Sequence, residues 1–131
     1  FVFARIVMML GNWTQHAFVN LEDLDDNTIN CINTKYNKMC WNDGYHAVHH
    51  IRPALHYTEI PGEFLKNKDK FAEKKILTFD GIHYLHIFIW LMTKRYDKLA
   101  KNLVNVNNMF ANEEEAIAHM KERTRKYKLT A

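Results

Sequence analysis

Nine of the first ten residues are apolar, and apart from Arg5 no charged residue occurs before Glu22. The stretch from Phe1 to Leu21 is 21 residues long, close to the roughly 20 that a membrane-crossing helix needs. Its second half is polar, carrying Asn12, Gln15, His16 and Asn20. The stretch therefore reads as the cytosol-facing end of a transmembrane helix that begins before Phe1. A secretory signal would need a basic region ahead of the apolar stretch and a small-residue cleavage site behind it; neither is present. The chain starts without Met and is expected to be a fragment of something longer. A second apolar stretch, Gly81 to Thr93, has 13 residues without Lys, Arg, Asp or Glu, which suits a buried or interfacial helix better than a span. A mean hydropathy of -0.40 argues against a wholly embedded chain.

The remainder has globular composition. Charged residues make up 25% and apolar residues 47% of 131, so disorder is not expected and about one domain is. A net charge of +3 is too mild to argue for nucleic acid, and none is expected as a partner. Cys31 and Cys40 have no Cys-x-x-Cys spacing and read as reduced thiols.

The expected fold class is mainly α, with weak strand signals throughout. Residues 1–19 read as helix, followed by an acidic loop, 22–26. Asp26 or Asn27 is placed to cap a helix over Thr28 to Cys40. Asn42-Asp43-Gly44 is a turn signal, and a short helix after it ends before Pro53. Pro61 suits the first turn of a basic helix running to Leu77. Asp80 is placed to cap a helix to about Val104, and Asn112 a final helix with Glu113, Glu114 and Glu115 in its first turn. One segment is expected over 1–131: a span end at 1–21, a histidine region at 22–65 and a basic tail at 66–131.

Eight histidines are unevenly distributed. His46, His49 and His50 form His-x-x-His-His, and on a helix these positions share one face. Imidazole suits iron, zinc and copper, so three on one face can hold one ion or be divided between two. Chance clustering is the plain alternative. Asn12 and His16 form Asn-x-x-x-His, one helical turn apart at the end of the apolar stretch, where polar groups are costly. Thirty residues separate His16 from His46, enough chain to fold both helices onto one site.

The order and spacing of these two motifs resemble the C-terminal third of the membrane fatty acid desaturases. Gly11-Asn12-Trp13-Thr14-Gln15-His16-Ala17-Phe18 resembles one block of that superfamily. Asn42 through His50, continuing through Pro53-Ala54-Leu55-His56-Tyr57-Thr58-Glu59-Ile60-Pro61, resembles another. The likeness covers residues 1–65. It implies helices that complete a di-iron histidine cage on the cytosolic side of a membrane core, in the endoplasmic reticulum if the source is eukaryotic. It also implies removal of two hydrogens from an acyl lipid or acyl-CoA, using O2 and electrons from cytochrome b5 or a ferredoxin. His16, His46, His49 and His50 would be iron ligands, and Asn12 would hold a water on one iron. Asp43 and Glu59 are candidates for moderating the charge of the site from outside the ligand set. Two earlier histidine boxes of the family are absent from these residues, so activity is expected of a longer parent chain. A hydroxylase of the same superfamily, or a truncated non-catalytic helical protein, are the alternatives.

The other histidines carry less. His56, His83 and His86 read as structural or surface residues, and His119 as solvated. Lys66–Lys75 and residues 121–128 are basic, suiting anionic lipid, an acidic electron donor or a solvated face.

Overall fold

The apolar run forms a helix in the computed structural model, which describes residues 1–20 and 28–126. This helix, α1, spans Val2–Gln15. It stops four residues earlier than residue 19. His16 leaves helical geometry at φ -115 and ψ 25, and the Gln15 carbonyl accepts from Ile29 N–H at 3.1 Å. That bond ties the helix end to the chain leading into the first strand. Fourteen residues rise about 21 Å, short of a hydrocarbon core of about 30 Å. No helix among the described residues is long and apolar enough to cross a membrane. The acidic loop and the proposed caps Asp26 and Asn27 lie outside the described residues.

The helix expected over Thr28 to Cys40 is not formed as such. Asn30–Ile32 is a strand, β1, and only Lys35–Met39 is helical, as α2. Asn33 at φ 56 separates the two, and the Thr34 hydroxyl caps α2 by accepting from Asn37 N–H. β1 pairs in parallel with β2, Thr78–Asp80, placing Cys31 beside Phe79. Strands of three residues are too short to show alternation, and their pairing joins positions far apart in the chain. Asp80 therefore sits at the end of a strand instead of capping a helix. The next helix, α5 over Tyr84–Met92, is capped by His83, whose ring accepts from Leu85 N–H at 3.3 Å. His86 completes the cap, accepting from His83 N–H at 3.4 Å.

Between the strands lie α3, His46–Ile51, and α4, Ile60–Glu73, with Pro61 in its first turn. α4 ends before Leu77, because Ile76, Leu77 and Thr78 lead into β2. After α5 the chain turns at Lys94, φ 55, into α6, Tyr96–Lys101. The expected long helix to Val104 is thus two. The last helix, α7, covers Glu113–Arg123 and is capped by Asn112, whose side chain accepts from Glu115 N–H at 2.8 Å.

Two apolar clusters flank the strand pair. Cys31 and Phe79 face the larger one, with Ile87, Leu99, Phe110 and Met120. Ile32 contacts the smaller one, where Ala47 and Val48 of α3 pack on Phe64 and Phe71 of α4. His119 is not fully solvated. Its ring is half-buried, 5.2 Å from that of Phe110, and desolvation with nearby Arg123 and Lys75 lowers its pKa to about 4.

Candidate metal centre

The site is built where the end of α1 meets the start of α3. α3 has six residues and no side-chain cap of its own at Tyr45, so its first-turn N–H groups need partners from elsewhere. Asn30 of β1 supplies one. It is fully buried, its Oδ1 accepts from Ala47 N–H at 3.1 Å, and its Nδ2 donates to Thr78 Oγ1 at 3.4 Å. The strand pair thereby holds the histidine helix.

Asn37 of α2 makes a second brace. Its Oδ1 accepts from Gly44 N–H at 2.9 Å and its Nδ2 donates to the Cys31 carbonyl at 2.8 Å. Cys31 N–H in turn donates to the Gly44 carbonyl at 2.7 Å. A Cβ on Gly44 would collide with Asn37 Oδ1 and the Cys31 carbonyl. Glycine is therefore required two residues ahead of His46. Sequence reading missed Asn30 and Asn37. Neither lies in a motif, and nothing local marks an asparagine whose partners are distant.

Three imidazoles meet at this junction. His46 Nε2 lies 3.3 Å from His16 Nε2 and 3.2 Å from His50 Nε2. One ligand nitrogen from each of the three lies within 4.8 Å of the others. An imidazole nitrogen in the ring plane carries either one proton or one lone pair. His46 Nε2 can therefore satisfy one of its two neighbours by hydrogen bonding, but not both. A cation accepting a lone pair from each ring resolves this conflict, and nitrogens about 3 Å apart suit metal–nitrogen bonds of about 2 Å.

Protonation favours the same arrangement. His46 is buried, and desolvation, reinforced by the rings of His50, His16 and His49, lowers its pKa to about 3. Partial desolvation and the rings of His16 and His49 lower that of His50. Neutral rings are the metal-binding form. The His46 Nδ1 is buried with no hydrogen-bond partner among the described residues, so the ring's only polar contacts are at Nε2. The residues present thus fit a metal ion, and an all-imidazole set suits iron, zinc, copper or nickel.

The other candidates lie outside this cluster. His49 is exposed and stacks on the His46 ring at 5.7 Å between centroids. It lines a separate cavity of about 370 Å³ with Tyr36, Trp41, Asp43 and Tyr45. Asn12 is exposed one turn before His16. Asp43 accepts from the Tyr36 hydroxyl at 2.6 Å and from Gln15 Nε2 at 3.2 Å. Its backbone carbonyl accepts from the Tyr84 hydroxyl at 3.0 Å. Asp43 thus ties the residue before His16 to the turn before His46. Glu59 is the exposed N-cap residue of α4 and makes no side-chain capping bond. His56 is exposed and pairs with Thr58 Oγ1 at 2.8 Å.

The family model for fatty acid desaturase matches residues 1–81. That span holds α1, both strands, α3 and all three clustered histidines. No curated protein and no solved structure matches the chain.

Proposed function

The chain belongs to the fatty acid desaturase family, and from that premise we propose that it forms the C-terminal catalytic portion of an oxygen-dependent membrane desaturase. The observation that carries this reading is the convergence of His16, His46 and His50 on one point from two helices. His16, His46 and His50 would hold one iron, and His49, facing a separate cavity, would serve a second. Two irons, when bound, supply the activation of O2 that removal of hydrogens from an unactivated acyl chain requires.

The chain's own residues do the holding. The burial of His46 keeps its ring neutral, so its lone pair is ready for an ion without loss of a proton. Asn30 and Asn37 set the position of α3, and Asp43 ties the Gln15 end of α1 to the same turn. Such bracing from outside the ligand set keeps ligands in place. Asn12, one turn before His16, would act on one iron through a water. Glu59 and Asp43 would add negative charge near a site built of neutral ligands.

On this reading α1 is the end of a membrane span, with the site on the cytosolic side, in the endoplasmic reticulum if the source is eukaryotic. The substrate would be an acyl lipid or acyl-CoA, and the electron donor cytochrome b5 or a ferredoxin. The test is expression of the parent protein in a host lacking the desaturation, followed by lipid profiling and iron analysis. A new double bond in the wild type, lost together with iron in His46→Ala, is the expected result. Full turnover in His46→Ala would refute the assignment. A hydroxylated product in place of a double bond would move the protein to the hydroxylase branch of the superfamily.

A further inference from the structure

A cavity of about 450 Å³ lies apart from the histidines, among residues at the ends of α1, α5 and α7 and the start of α6. Its apolar lining includes Trp13, Ala17, Leu91 and Met92. Lys94, Arg123 and Arg125 line it as well, and among the described residues no carboxylate does. Arg125 is paired with Glu122 at 2.9 Å. Lys94 and Arg123 form no ion pair with an acid among the described residues. Two cations beside an apolar wall call for a ligand with an anionic head and an apolar body.

The surroundings specify the source of that ligand. Trp13 follows Met9 by one turn on the same face of α1, and both are exposed, at 46% and 73%. Phe1, Val2, Phe3, Ile6, Val7 and Met8 continue the exposed apolar surface toward the start of the helix. Met92, 55% exposed, lines the cavity as well. Lys94 takes its place because α5 ends there, with φ 55 and Arg95 N–H donating to the Trp90 carbonyl at 2.7 Å. An apolar helix surface thus adjoins a cavity lined by both apolar residues and cations, the pairing of chemistry found where a bilayer meets its headgroups.

We propose that this cavity binds one anionic phospholipid, its phosphate against Lys94 and Arg123 and an acyl chain along Trp13, Leu91 and Met92. The proposal rests on α1 being the end of a membrane span, but it requires neither iron nor turnover. It assigns to the basic end of α7 a lipid partner that is distinct from the substrate.

The test is native mass spectrometry of the full protein released from nanodiscs of phosphatidylcholine containing phosphatidylserine. Wild type is expected to retain one phosphatidylserine in preference to phosphatidylcholine. Each cation near an anionic headgroup contributes about fivefold. The Lys94→Gln/Arg123→Gln variant should therefore lose about twenty-fivefold of that preference, whereas Lys68→Gln/Lys70→Gln on α4 should keep it. An unchanged preference in the first variant, or an equal loss in the second, overturns the proposal. So does displacement of the lipid by millimolar inorganic phosphate, which would make this a phosphate site. A second measurement needs no charge variant: brominated phosphatidylserine should quench tryptophan fluorescence more than brominated phosphatidylcholine, and Trp13→Phe should abolish the difference. Equal quenching by both lipids overturns it equally. An inactive, iron-free protein that still selects phosphatidylserine would refute the desaturase reading and leave the lipid site standing.

Discussion

Replacing Gly44 by alanine tests the bracing of the histidine helix directly. The new Cβ would meet Asn37 Oδ1 and the Cys31 carbonyl, so either the Asn37 side chain or the β1 backbone must shift. If Asn37 moves, two buried hydrogen bonds break: the 2.9 Å bond from Gly44 N–H and the 2.8 Å bond to the Cys31 carbonyl. Each buried group left without a partner costs about 1–3 kcal/mol, so a total of about 3 kcal/mol is expected. For a chain of this size 1 kcal/mol is worth roughly 4 °C, giving a drop of about 12 °C in Tm. The assay is thermal unfolding of the purified protein followed by circular dichroism, beside a metal titration. Gly62→Ala is the control, because nothing lies within 4 Å of a Cβ there; in the first turn of α4 it should be neutral or stabilise by up to about 1 kcal/mol. Metal affinity should fall in Gly44→Ala and hold in Gly62→Ala. A Gly44→Ala protein melting within about 2 °C of wild type would refute the reasoning.

Three further outcomes follow from the same structure. His46→Ala should lower bound iron while His56→Ala, at an exposed ring paired with Thr58, should not; elemental analysis of the purified proteins decides. Burial lowers the His119 pKa from 6.5 to about 4, so between those values the unfolded chain binds the proton more readily and stability falls as pH drops. Full stability is expected above about pH 6.5, with a loss of roughly 1–2 kcal/mol by pH 4 after screening at a half-buried ring; His119→Gln should flatten that part of a Tm–pH curve, and an unchanged slope would show that His119 is not its source. Asn112→Ala removes the α7 cap, in which Asn112 Oδ1 accepts from Glu115 N–H, and should cost about 1 kcal/mol in denaturant unfolding; no measurable loss would mean that the helix end is held by its packing alone.

The site is partly a local object and partly not. His46 and His50 are one turn apart on a single short helix, and their 3.2 Å approach follows from helical spacing. His16 comes within 3.3 Å of His46 because α1 stops at Gln15 and its last carbonyl is taken up by Ile29. His49 belongs to the same motif by spacing, yet it faces a different cavity. Six residues of helix distribute three rings around an axis, and which of them meet His16 depends on how that axis is set.

From the sequence alone came the helical class, the end of α3 before Pro53, the start of α7 at Asn112, the family resemblance and the two histidine motifs. All of these rest on interactions between residues within a few positions of one another: caps, prolines and one-turn spacing. Tertiary structure alone decided the strand pair, the early end of α1, the division of the helix after Asp80 and the half-burial of His119. Each of these depends on partners far away in the chain. Asn30 shows the difference most plainly. Nothing beside it in sequence marks it, but buried between β2 and α3 its amide finds two partners among the described residues, Thr78 Oγ1 and Ala47 N–H. A buried polar group must find such partners, and here they set where the histidines stand.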